Sequence, residues 1–207
     1  MIRGSLDLLD RTPDRPPGDR VALARMHATV KDMQALLETV LLLARGHELR
    51  PPEDPVSVNR LVEDCVGQLA PLATRHETRV EITHSASLPV LAPAEVLAIV
   101  IGNLLRNAIN YTARGTISIQ IDEGGVTIRD TGAGMNDAEL KRAFEPFYRG
   151  DQGRRSGDSS GQGLGLAIVE RLAEQFGWLV TIASKPGKGT QVAIRLRDVG
   201  SGVKASR

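Results

Sequence analysis

The chain has 207 residues, 41% of them hydrophobic and 25% charged, enough to bury a core of ordinary size with a smaller unit attached. Its 26 basic and 25 acidic residues nearly cancel, which argues against a nucleic-acid groove or an anionic membrane surface as the main partner. A lone Cys65 excludes an internal disulfide framework, and no apolar run approaches the ~20 residues of a membrane span.

The first residues place Ile2, Leu6 and Leu9 on one helical face before Arg11-Thr-Pro-Asp-Arg-Pro-Pro-Gly18 breaks the pattern. From Val21 to Ala44, the residues Leu23, Met26, Val30, Met33, Leu37, Val40 and Ala44 alternate three and four apart, which is a heptad seam. Two such helices joined by a short Pro/Gly loop form a hairpin with an apolar face still to cover. A second copy completing a four-helix bundle is therefore expected through residues 1–47, the other possibility being packing on the downstream domain.

Pro51-Pro-Glu-Asp-Pro55 is a stiff linker and sets a domain boundary. Residues 1–50 form the hairpin unit, 55–198 the main domain, and 199–207 a polar tail. Past the linker, Val58, Leu61, Val62, Cys65, Val66 and Leu69 read as an amphipathic helix, with Cys65 a buried thiol of a reducing cytosol. Arg79 to Ile82 and Leu88 to Leu91 are short strand candidates. A helix from Pro93 to Tyr111 turns Leu97, Ile101, Leu104 and Ala108 inward and aligns Asn103, Asn107 and Asn110 on another face. Asparagine is a mediocre helix former, so the row is either a solvated face or a set of amide oxygens suited to a hard cation such as Mg²⁺.

Ile117, Ile119 and Ile121 alternate, as do Val126 and Ile128, and Asp122-Glu-Gly-Gly125 joins them as a hairpin. The second strand ends at Asp130-Thr-Gly-Ala-Gly134, where an aspartate beside two glycines can accept from an amine or simply make a turn. Asn136 caps a short helix through Ala143, and Phe144-Glu-Pro-Phe-Tyr-Arg149 follows. The polar, glycine-rich stretch from Gly150 to Ser160 is expected to be a lid or a disordered insertion. Gly161-Gln-Gly-Leu-Gly-Leu166 then opens a helix carrying Val169, Leu172 and Phe176, with Gly177 placed to end it. Such a glycine-rich opening suits a phosphate, because unpaired first-turn N–H groups and the helix dipole favour an anion, although it also suits an ordinary loop. Two antiparallel strands through Val180 and Ile182 and through Val192, Ile194 and Leu196 close the domain around Lys185-Pro-Gly-Lys-Gly189.

Taken in order, Asn103-x-x-x-Asn107, Asp130-x-Gly-x-Gly134, Phe144-x-x-Phe147, Gly161-x-Gly-x-Gly165 and Gly187-x-Gly-Thr190 closely resemble the N, G1, F, G2 and G3 boxes of the sensor histidine kinases of two-component systems, in the Bergerat (GHKL) ATP-binding class. The resemblance covers about residues 55 to 197, and the preceding hairpin looks like that family's dimerisation and phosphotransfer bundle. It implies an α+β fold, a mixed and mostly antiparallel sheet under a helical layer, with ATP and Mg²⁺ bound between the asparagine-bearing helix and the lid. By the same resemblance, Asn107 is the metal ligand with Asn103 in support, Tyr111 contacts adenine, and Asp130 accepts from the adenine amine with Gly132, Gly134 and Thr190 shaping that end. Gly161, Gly163, Leu164, Gly165 and Leu166 hold the phosphates, and Arg149 reaches the γ-phosphate; Phe144, Phe147 and Tyr148, by their place at its base alone, are expected to anchor the lid when closed. The implied reaction is transfer of the ATP γ-phosphate to a histidine for relay to a response regulator, in a homodimeric, cytoplasmic chain or in the cytoplasmic part of a membrane-anchored sensor. The alternatives are a GHKL-type ATPase and a non-catalytic nucleotide-binding dimerisation module.

Two departures from the family pattern stand out. Asn110 occupies a position where a basic residue is frequent. The first helix also starts beyond the place of the acceptor histidine, so the chain is expected to lack its own acceptor. His47-Glu-Leu-Arg-Pro-Pro52 imitates the acceptor motif, but it lies at a helix end leading into the linker and is read as a coincidence.

Overall fold

The computed structural model describes residues 54–150 and 163–196, with Met26 and Val30 as single helical positions. The expected hairpin and its heptad seam, the Gly150–Ser160 stretch beyond Gly150, Gly161 and the C-terminal tail all lie outside the described residues.

Two strand groups and four helices make up the described domain. Strand β1 (Val56–Ser57) pairs antiparallel with β3 (Pro89–Val90) as a small ribbon. The main sheet holds β2 (Arg79–His84), β4 (Thr116–Ile121), β5 (Gly125–Asp130), β6 (Leu179–Ser184) and β7 (Thr190–Arg195) in the order β2-β4-β5-β7-β6. Only β2 and β4 run parallel, which a tight hairpin cannot achieve, and their connection passes through β3 and α2 (Ala94–Asn110). The remaining neighbours are antiparallel, with Ile121 opposite Val126 across the expected hairpin.

Alternation decides which face is buried. Ile117, Ile119 and Ile121 of β4 and Val126, Ile128 and Asp130 of β5 point under the helices, whereas Ser118, Gln120 and Arg129 face solvent. Three helices cover the apolar face: α1 (Val58–Arg75), α2, and α4 (Gly165–Phe176). α2 lies between the other two and is buried at eight positions, which include the four expected ones, Leu97, Ile101, Leu104 and Ala108. This is the mixed, mostly antiparallel α+β sandwich that the family resemblance implies.

Two local features depart from the sequence reading. α1 runs on to Arg75 through Pro71, at a turn where Pro71 and Gly67 are both exposed, so the carbonyl whose intrahelical bond Pro71 removes sits at the surface side of the helix rather than in the core. The short α3 (Asp137–Lys141) ends before Ala143, although Asn136 caps it as expected, in a full capping box with Glu139.

Candidate functional site

Between the helical layer and the sheet lies a cleft walled by α2, the start of α4 and the loop after β5, over a floor of Ile128, Ile182 and Val192. Its two ends differ in chemistry.

At one end stands Asp130, at the last position of β5 and 6% exposed. Its Oδ1 accepts from the Gly132 N–H at 2.8 Å and from the Thr190 N–H at 3.2 Å. Oδ2 meets no donor among the described residues and is left to the cleft. Burial pushes the carboxyl up from its ordinary value, and the two backbone N–H groups pull it partly back. Gly132 sits behind this group rather than on the wall: a side chain there would collide with the Tyr111 carbonyl. Tyr111, just past the end of α2, stands at the mouth and is 43% exposed. An apolar floor ending in an acceptor-rich, half-desolvated wall suits a flat heterocycle with an exocyclic amine.

At the other end α4 begins at Gly165 with no side-chain cap, so the N–H groups of its first turn are open to an anion. Two asparagines of α2 face it. The Asn103 amide nitrogen donates to the Ile99 carbonyl at 2.8 Å, which commits the donor to its own helix and leaves Oδ1 toward α4. A Cβ added at Gly165 would stand 3.2 Å from Asn103 Oδ1 and 3.2 Å from Asn107 Nδ2, so any side chain there would crowd both amides. The Asn107 side chain makes no hydrogen bond to the described residues, and its amide lines the cleft. Among the described residues no three His, Cys, Asp or Glu side chains cluster as a metal site. A cation here would be held by amide oxygen and by oxygens that its ligand brings.

Of the residues singled out from the sequence, Asn103, Asn107, Tyr111, Asp130, Gly134, Gly163, Leu164, Gly165, Leu166 and Thr190 line this cleft together. Phe144, Phe147 and Arg149 do not. Phe147 is 68% exposed, with its N–H donating to the Gly163 carbonyl at 3.0 Å, a bond that ties the two ends of the intervening segment together. Arg149 lines a separate hollow with Arg142 and Tyr148, where the Arg142 guanidinium lies 4.1 Å over the Tyr148 ring. Sequence reasoning missed the floor residues as site residues, and also Met135, Glu139 and Tyr148 on the wall. The strand alternation marked Ile128, Ile182 and Val192 as inward-facing; that they underlie an open cleft rather than a filled core is a tertiary fact.

His76, His84 and Cys65 do not line this cleft. His84 Nδ1 meets Asn59 Nδ2 at 2.9 Å and its Nε2 lies 3.2 Å from Glu63, a bracket at the sheet edge. Cys65 is buried in the core, and its thiol is held above its ordinary value by desolvation and by Asp64.

The sequence profile of the family described as histidine kinase-, DNA gyrase B-, and HSP90-like ATPase matches residues 93–200. The chain is 34% identical over 203 residues to the probable sensor histidine kinase TcrY of Mycobacterium tuberculosis, covering 94% of this chain and 42% of that protein. It is 34% identical over 198 residues to the phosphate regulon sensor protein PhoR of Pseudomonas aeruginosa, covering 92% of this chain and 44% of the relative. Among solved structures, full-length ShkA in complex with AMPPNP superposes with a TM-score of 0.65 at 26% identity, over 94% of this chain and 42% of the other. The chain thus spans less than half the length of these curated relatives. With the profile covering just over half its residues, the chain belongs to the histidine kinase-, DNA gyrase B-, and HSP90-like ATPase family, as the catalytic domain of a two-component sensor histidine kinase.

Proposed function

We propose that the cleft binds ATP with Mg²⁺ and that the domain transfers the γ-phosphate to a histidine of a dimerisation domain, for relay to a response regulator. The observation that carries this reading is the pairing, across one cleft, of a buried carboxylate with one open oxygen and an uncapped helix start facing two asparagines. Asp130 accepts from the adenine amine, Tyr111 covers the base, and the first-turn N–H groups of α4 take the phosphates. Asn107 supplies the amide oxygen that fits Mg²⁺, with Asn103 Oδ1 beside it; the cation, when bound, neutralises the phosphate oxygens.

Transfer is favoured over hydrolysis by the chemistry of that face. Hydrolysis needs a base to take a proton from water, and the amide of Asn103 is a poor one with its nitrogen already committed. An imidazole nitrogen instead attacks the γ-phosphorus in line as the bond to the bridging oxygen breaks and ADP leaves. Little beyond positioning and charge neutralisation is asked of the protein. Arg149 is left out of this scheme because it lies off the cleft wall. The reading extends to a homodimer through residues 1–47 in the cytoplasmic part of a sensor; no helix among the described residues is long and apolar enough to cross a membrane.

Incubation of the chain with γ-labelled ATP, with and without a separate dimerisation domain carrying its histidine, tests the proposal. Acid-labile label on the added domain is the expected result. Steady phosphate release with no label on any histidine would replace the kinase reading with that of an ATPase.

A further inference from the structure

Ser184, the last residue of β6, joins the loop after β5 to the β6–β7 turn at the base end of the cleft, and it belongs to none of the sequence motifs. Its Oγ accepts from the Met135 N–H at 2.8 Å, donates to the Gly189 carbonyl at 3.0 Å, and lies 2.9 Å from Thr190 Oγ1. A hydroxyl has one hydrogen, and a carbonyl can only accept. The Ser184 hydrogen is therefore committed to Gly189, and all three contacts are hydrogen bonds only if Thr190 donates to Ser184. The Thr190 hydroxyl then turns its hydrogen away from the cleft and offers lone pairs alone.

Beside it Asp130 behaves alike. Its Oδ1 is occupied by the Gly132 and Thr190 N–H groups, and its Oδ2 is an acceptor. Two neighbouring groups on the wall thus accept, and neither donates.

We infer that Ser184 is a positioning residue that locks Thr190 as an acceptor and so makes the base end select a 6-amino purine over a 6-oxo purine. The inference rests on the nucleotide reading above. A 6-amino group brings two hydrogens to this wall, whereas a 6-oxo group brings lone pairs against lone pairs with no hydrogen free to rotate between them. Leaving a buried polar atom without a partner discriminates more strongly than adding one good contact. Without Ser184 the Thr190 hydroxyl can rotate and donate to the 6-oxo oxygen.

The test is calorimetric titration of the full chain with ATP and with GTP, each with Mg²⁺. Wild type should prefer ATP, and Ser184→Ala should lower the ATP-to-GTP affinity ratio about tenfold, chiefly by strengthening GTP. Ser184→Thr, which keeps the hydroxyl, should restore the ratio. In a Thr190→Val background Ser184→Ala should leave the ratio unmoved, because the group it acts through is gone. Ser184→Cys, of similar volume but poor hydrogen-bonding power, gives the same reading should the alanine variant fail to fold. Equal weakening of both nucleotides, or an additive double variant, would reduce Ser184 to a loop support and overturn the inference while the nucleotide reading stands. A wild-type chain that binds neither nucleotide would overturn both.

Discussion

The two ends of the cleft are built on opposite plans. At the base end most polar groups already have a partner: Asp130 holds two N–H groups, Ser184 joins the loop after β5 to the β6–β7 turn, and the Ala133 carbonyl accepts from Gly187 at 2.7 Å. At the phosphate end the groups are waiting. α4 starts without a side-chain cap, and the Asn107 amide has no hydrogen bond to the described residues. Recognition of the base is thus pre-organised, while the charged end is completed only by ligand and cation, so ordering there is coupled to binding. Variants at the two ends should fail in different ways.

The largest effect is expected at the waiting end. Asn107→Ala should lower phosphotransfer by about 10³-fold with the melting temperature unchanged, since the group stabilises nothing until a cation arrives. Comparable losses in transfer and in thermal stability would show that Asn107 is a packing residue.

At the pre-built end, Asp130→Asn should weaken ATP by about 10²-fold, because Oδ1 keeps its two N–H donors and the amide nitrogen then meets the adenine amine donor to donor. The empty domain should not lose stability. With the folded pKa raised, the contribution of Asp130 to stability is fully present below its unfolded value and is lost as pH rises through the folded one, so at neutral pH the buried charge is a cost. A variant that melts much earlier without nucleotide would contradict this balance.

Two glycines of one turn sharpen the contrast between strain and space. Gly187 and Gly189 both have positive φ, 72° and 79°, but a Cβ at Gly187 meets nothing within 4 Å whereas one at Gly189 would collide with the Asp130 carbonyl. Gly187→Ala should cost about 1 kcal/mol, the penalty of the conformation alone. Gly189→Ala should cost more and also weaken ATP, as chemical denaturation and titration would report; equal costs would mean that the turn yields freely.

The smallest effect is on pH. ATP affinity should fall as pH drops through the raised pKa of Asp130, because protonation removes the acceptor from Oδ2. Asp130→Asn should abolish that dependence, and a wild-type profile equally steep in the variant would assign the proton elsewhere.

Much of this molecule is legible in the chain itself, for reasons that differ by element. The alternation of β4 and β5 is plain because one face of the sheet is wet and the other dry. The asparagine row on α2 stands out because a helix has no intrinsic use for it. β1 is hidden because two residues after Pro55 become a strand only by pairing with Pro89 and Val90. The run of α1 through Pro71 depends on that turn facing solvent, which a linear pattern does not record. The exposure of Phe147 is not legible either, because an F-x-x-F pattern does not say which ring is covered. Ser184 carries no signal of its own, since its role comes from loops some 50 residues apart in sequence meeting at one hydroxyl.

The central claim is that a nucleotide site is completed at its charged end by a cation on Asn107, and it is tested most directly by titrating ATP into wild type and Asn107→Ala, each with and without Mg²⁺. Wild type should bind more tightly with Mg²⁺, and the variant should bind with the wild-type Mg²⁺-free affinity in both conditions. A variant that keeps the full gain from Mg²⁺, or a wild-type chain that shows no ATP binding at all, would contradict it.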